Sequence, residues 1–109
     1  DAHDGMGQLA SIQGMQLAID KAKKYGVGMV SVRNSNHFGI AGYYSMMAAK
    51  QGPTGVSMTN AEALVVPTYA REPMFGTNPI AVTIPADPHP FHNVRHDLWQ
   101  DGGLCQDRP

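Results

Sequence analysis

The chain has 109 residues, with 8 Lys and Arg against 9 Asp and Glu, a net charge of −1 and one cysteine. That length allows one small domain or part of one, and a near-balanced charge without a basic cluster argues against nucleic acid or an anionic membrane as partner. No apolar run is long enough to cross a bilayer, and the lone Cys105 excludes an internal disulfide. Asp1 to Asp4 lack the charged-then-apolar order of a secretory signal, so a cytoplasmic protein is expected.

From Gln8 to Tyr25 the apolar residues Leu9, Ile12, Met15, Ile19 and Ala22 recur every three or four positions, one face of an amphipathic helix. Asp4, Gly5 and Gly7 supply turn and cap chemistry ahead of it. Lys21, Lys23 and Lys24 suit the negative pole of its dipole, and Gly26 is a left-handed stop. Val27 to Val32 is short and β-branched, the pattern of a buried strand. Ala41 to Gln51 predicts a second helix ended by Gly52 and Pro53, and Gly55 to Thr59 a second strand. Strand, helix and strand in this order imply a parallel, right-handed crossover. The segment from Asn60 to Asn78 is irregular, Ile80 to Ile84 predicts a third strand, and the periodic pattern stops near His92. The expected fold is therefore an α/β helix–strand–helix–strand–loop–strand unit.

Chemistry concentrates in the turn from Arg33 to Gly42, between the first predicted strand and the second helix. His37 can exchange a proton near neutral pH; the alternative is a merely exposed or structural ring. Arg33 can hold a carboxylate in bidentate fashion or pair with a local Asp or Glu. Thr59-Asn60 and Gly76-Thr77-Asn78 offer hydroxyls and amides suited to uncharged or phosphate parts of a ligand, and equally suited to making turns. Gly26-Val27-Gly28 precedes a strand, so it is not the nucleotide fingerprint that follows one. Asp4 to Gly7 can catch an anion ahead of a helix, or simply cap it. His89, His92 and His96 are too loosely spaced, without a cysteine pair, to make a metal site expected. Nothing around Cys105 suggests a nucleophile, and Met46, Met47 and Met58 read as core filler.

Several blocks together resemble the malate/L-lactate dehydrogenase family of the non-Rossmann type, which includes ureidoglycolate and sulfolactate dehydrogenases. They are Asp4-Gly5-Met6-Gly7-Gln8, Lys21-Ala22-Lys23, Gly26-Val27-Gly28, Val32 through Gly39, Met58-Thr59-Asn60 and Gly76 through Ala81. The resemblance runs from about residue 1 to residue 91. It implies part of a larger non-Rossmann dehydrogenase fold, using NAD or NADP to interconvert a small 2-hydroxy acid, such as malate or lactate, and its 2-oxo acid. It further implies a homodimer for the full-length enzyme.

His37 matches the family's acid/base histidine, with Arg33 and Asn36 beside it as candidate substrate contacts. Thr59, Asn60 and Ala61 match a cofactor-contacting segment, joined by Thr77 and Asn78. Ala61 stands where several members carry Ser or Thr, and Ala70 where a glycine is common. No metal is implied. Residues 92–109 depart from the family pattern, so the chain is expected to be a fragment, inactive alone, with a disordered or frameshifted tail. The runner-up is a non-catalytic α/β module binding a small ligand or a protein.

Overall fold

The computed structural model describes residues 1–86 and the backbone of residues 92–96. Its elements are helix α1 (Gly7–Tyr25), helix α2 (Ala41–Ala49), and strands β1 (Gly55–Met58), β2 (Ile80–Ile84) and β3 (His92–His96). α1 starts one residue before the predicted boundary. Its N-cap, Met6, makes no side-chain cap bond, so Asp4 does not serve as the cap expected. At the other end the Gly26 N–H donates to Ala22 O at 2.7 Å with φ at +88°, the left-handed stop the sequence announces. α2 ends at Ala49, two residues short of the predicted end, and the chain then reverses through residues 50–54.

The three strands form one antiparallel sheet in the order β1-β2-β3. Met58 lies opposite Ile80 and Gly55 opposite Thr83, while His92 and His96 of β3 pair with Ile84 and Ile80. The parallel crossover predicted from the chain order is therefore not formed among the described residues. Its missing member is residues 27–32. This segment alternates as a strand does, with Val27 and Met29 77% and 85% exposed and Gly28, Val30 and Val32 half-buried, yet it enters no ladder. The inward side lies on α1: a Cβ at Gly28 would stand 1.9 Å from Ala18 O, and one at Gly14 would touch Val30 and Val32. The buried strand expected here is therefore not formed: pairing needs a neighbour, and α1 offers side chains without free backbone groups.

The core lies where α2 meets the sheet and α1. Ala41, Tyr44, Ala48, Ala49, Ala81 and Ile19 are buried. Small residues allow close approach: a Cβ at Gly55 would be 2.1 Å from Ser45 O. The buried Ser45 and Thr83 hydroxyls hydrogen-bond at 2.7 Å, tying α2 to β2, and Ser45 Oγ lies 3.1 Å from Gly42 O. Two apolar assignments need correction. Leu9, placed on the core face, is 66% exposed, and Met58, read as core filler, is 62% exposed at the end of β1. No helix among the described residues is long and apolar enough to cross a membrane.

Candidate active site

The Arg33–Gly39 turn is held from two sides. Along its first half the N-terminal residues run beside it: Ala2 N–H donates to Arg33 O at 2.9 Å, Asp4 N–H to Asn34 O at 2.7 Å, and Asn36 N–H to Gly5 O at 3.1 Å. Side chains reinforce this. Asp1 takes Arg33 Nε at 3.2 Å and Asn34 Nδ2 at 3.1 and 3.2 Å, while Asn36 Nδ2 donates to Asp4 O at 2.6 Å. Along the second half, the Tyr44 hydroxyl of α2 donates to Phe38 O, and the Phe38 and Tyr44 rings stack at 5.2 Å. From beneath, α1 reaches the turn at Gly7, where a Cβ would stand 2.2 Å from Asn36 O and 2.8 Å from His37 O.

His37 itself is exposed at the entry to α2. Its Nδ1 accepts the Gly39 N–H at 3.1 Å, which leaves Nε2 as the nitrogen available to a ligand. Arg33 is also exposed (79% of its side chain), so pairing through Nε does not bury the terminal guanidinium nitrogens. The Asn36 carboxamide, by contrast, already serves the Asp4 carbonyl.

The second polar cluster is built where β1 ends and β2 begins. Asn78 Oδ1 accepts the Ala61 N–H at 2.9 Å, Thr59 N–H donates to Pro79 O at 3.3 Å, and Thr59 Oγ1 donates to Asn60 O at 3.1 Å. Gly76 is buried where a Cβ would be 2.4 Å from Ala61 O. The segments 59–61 and 76–79, eighteen or so residues apart in sequence, are thus one unit, with Thr77 and Asn60 exposed on it. Because α2 returns into β1 through the short 50–54 turn and packs along β1 and β2, the helix entry and the β1–β2 opening face the same end of the sheet.

Two open grooves lie elsewhere. One, of about 250 Å³, is lined by Asp1, Met6, Leu9 and Gln13 among others. The second, of about 190 Å³, runs between α1 and residues 30–32. His37, Thr59 and Thr77 line neither. His89 and Cys105 lie outside the described residues. Of His92 and His96 only the strand register is described, and no metal-holding group of His, Cys, Asp and Glu occurs among the described residues. The sequence pattern did not reveal Asp1 as the partner of Arg33, nor Tyr44 as the brace of the turn. Both act through contacts that carry no periodic signal.

This arrangement of helices and sheet is that of a dehydrogenase segment. It superposes on malate dehydrogenase from Pyrococcus horikoshii with a TM-score of 0.77 at 48% identity, covering 84% of this chain and 26% of that one. On malate dehydrogenase from Entamoeba histolytica the TM-score is 0.76 at 50% identity, again over 84% and 26%. Among curated sequences, malate dehydrogenase from Pyrococcus abyssi is 54% identical over 91 residues, which is 84% of this chain and 25% of that protein. The 2,3-diketo-L-gulonate reductase of Haemophilus influenzae is 40% identical over 95% of this chain and 31% of its own length, an alignment that passes residue 91. The malate/L-lactate dehydrogenase family profile matches residues 1–93. The chain belongs to the malate/L-lactate dehydrogenase family, and it spans about a quarter of the length of these malate dehydrogenases.

Proposed function

We propose that this chain carries part of the active site of an NAD- or NADP-dependent dehydrogenase acting on a small 2-hydroxy or 2-oxo acid such as malate or lactate. The observation that carries this reading is His37: an exposed imidazole on a turn braced by α1, α2 and the N-terminal residues, with Nδ1 bonded to the turn and Nε2 available. A proton exchanger needs access and fixed orientation together. His37 acts through Nε2 on the substrate oxygen. As an imidazolium it gives a proton when the 2-oxo acid is reduced and is left neutral; as a neutral ring with Nε2 bare it takes one when the 2-hydroxy acid is oxidised. Arg33, anchored at Nε by Asp1, offers its terminal nitrogens to the substrate carboxylate. Asn36 contributes by fixing the turn through the Asp4 carbonyl, a narrower role than direct substrate contact.

The clasped unit of Thr59, Asn60, Ala61, Thr77 and Asn78 fits a dinucleotide in its donor set. Its side chains are uncharged, and the Thr77 side chain and Asn60 stand exposed beside backbone already held in place by the Asn78–Ala61 bond. When bound there, a nicotinamide supplies or accepts the hydride, and the protein supplies position and electrostatics. The full-length enzyme is expected to be a homodimer working in the cytoplasm, and residues 1–91 alone to lack turnover. The test is a chimera in which residues 1–91 replace the matching segment of the Pyrococcus horikoshii enzyme. It should turn over malate or lactate with a nicotinamide cofactor, and His37→Ala should lower kcat by about 10²–10⁴-fold with NADH binding, read by fluorescence, retained. A chimera that folds and binds no nicotinamide sinks the proposal.

A further inference from the structure

The His37 ring makes one hydrogen bond through its Nδ1, and it is made as an acceptor: the Gly39 N–H points at Nδ1 from 3.1 Å. A neutral imidazole has one protonated and one bare nitrogen, and the bond made by one nitrogen decides where the proton sits. With Nδ1 accepting, the proton belongs on Nε2. The donor that imposes this has an unusual backbone. Gly39 lies at φ +84°, a region L residues rarely enter, although only Gln8 Cγ, 3.9 Å away, is near where its Cβ would stand. Space does not require glycine here; the positive φ does, since it carries the chain from this peptide into α2. The peptide that carries this N–H is held at its other edge, since Tyr44 donates to Phe38 O, and the peptide before it packs against Gly7 at His37 O.

We propose that Gly39 is a positioning residue for His37: its backbone N–H sets the tautomer, so that the turn presents Nε2–H as a donor to an acceptor oxygen, the carbonyl of a 2-oxo acid. This rests on the dehydrogenase reading for its ligand and on the turn's geometry alone for its tautomer. The hydroxyl of a 2-hydroxy acid must give its proton to a bare Nε2, which requires the opposite tautomer and a broken Gly39 bond. An imidazolium, the form that hands a proton to the carbonyl oxygen, has N–H on both nitrogens and breaks it too, so the neutral ring's Nε2–H serves to bind and orient that oxygen. In its resting geometry the turn therefore discriminates between the two members of the substrate pair.

The tautomer is read without turnover. In the ¹⁵N-labelled 109-residue chain at alkaline pH, two-bond ¹H–¹⁵N correlations should show His37 protonated on Nε2, with a coupling across the hydrogen bond between Gly39 N and Nδ1. A ring protonated on Nδ1, or no such coupling, overturns the assignment. Replacing the Phe38–Gly39 amide by an ester removes the N–H, at the cost of a weaker acceptor for Tyr44, and should return the ring to the tautomer mixture of free histidine; an unchanged ring sinks the claim. Gly39→Asn, which tolerates a left-handed backbone and keeps the N–H, should preserve the parent spectrum. In the chimera, pyruvate with NAD⁺ should move the Nε2 proton further than L-lactate with NADH, two pairs that cannot react. Equal shifts overturn the ligand half while leaving the tautomer standing. Loss of turnover in the chimera is a separate failure, belonging to the dehydrogenase reading.

Discussion

Tyr44 joins the α2 core to the His37 turn, since its ring is buried and stacked on Phe38 while its hydroxyl donates to the Phe38 carbonyl. Burial pushes its phenol above the ordinary value of 10.0; a hydrogen bond with Ser11 works against that and the neighbouring Tyr43 adds to it. The group is neutral when protonated and its folded value is the higher one. Stability is therefore intact below the unfolded value and is lost as pH rises above it. Urea melts at about pH 8 and about pH 11 should show a smaller loss across that interval for Tyr44→Phe than for the parent. At the lower pH the variant should be weaker by about 0.5–1.5 kcal/mol, the ordinary worth of the hydrogen bond it lacks. At the same scale the sequence shows His37 and Arg33 as chemically capable groups and hides what holds them. Asp1 meets Arg33 and Asn34 across more than thirty residues, and no spacing rule links them.

Among the elements, α1, α2, β1 and β2 follow from the sequence because glycine or proline punctuates them: Gly26 after α1, Gly52 and Pro53 between α2 and β1, and Pro79 and Pro85 on either side of β2. β3 does not: residues 92–96 read His-Asn-Val-Arg-His, with a single apolar residue, and form a strand because β2 presents an open edge. The error over residues 27–32 is the reverse case, a strand pattern without a partner. There the packing on α1 is tight enough to test. Gly28→Ala places a methyl 1.9 Å from Ala18 O, against helix backbone that cannot step aside. It should destabilise the chain by about 1–3 kcal/mol or more in chemical denaturation. Hydrogen exchange should separate the two kinds of extended segment, with slow amides in β2 and fast ones across residues 27–32.

Taken whole, the described residues bury few large side chains. Ile19 and Tyr44 are the bulky apolar members of the core and the rest is alanine, while Met6, Leu9, Val27, Met29, Ile40, Leu64 and Met74 are each more than 60% exposed. Apolar surface on this scale drives association. The 109-residue chain should show concentration-dependent self-association in sedimentation velocity, and the pair Val27→Lys with Met29→Lys should reduce it without altering helix content. An ideal monomer at high concentration would contradict this.

The stitching of residues 59–61 to 76–79 bears on how the protein withstands proteases. Asn78 and Ala61, together with Thr59 and Pro79, close the neck of a long exposed excursion whose tip includes Tyr69 and Arg71. Trypsin nicking after Arg71 would sever the covalent link yet leave the neck fastened through the sheet and the clasp. Such a cut chain should migrate as two pieces in detergent and as one in native buffer, and Asn78→Ala should loosen that union.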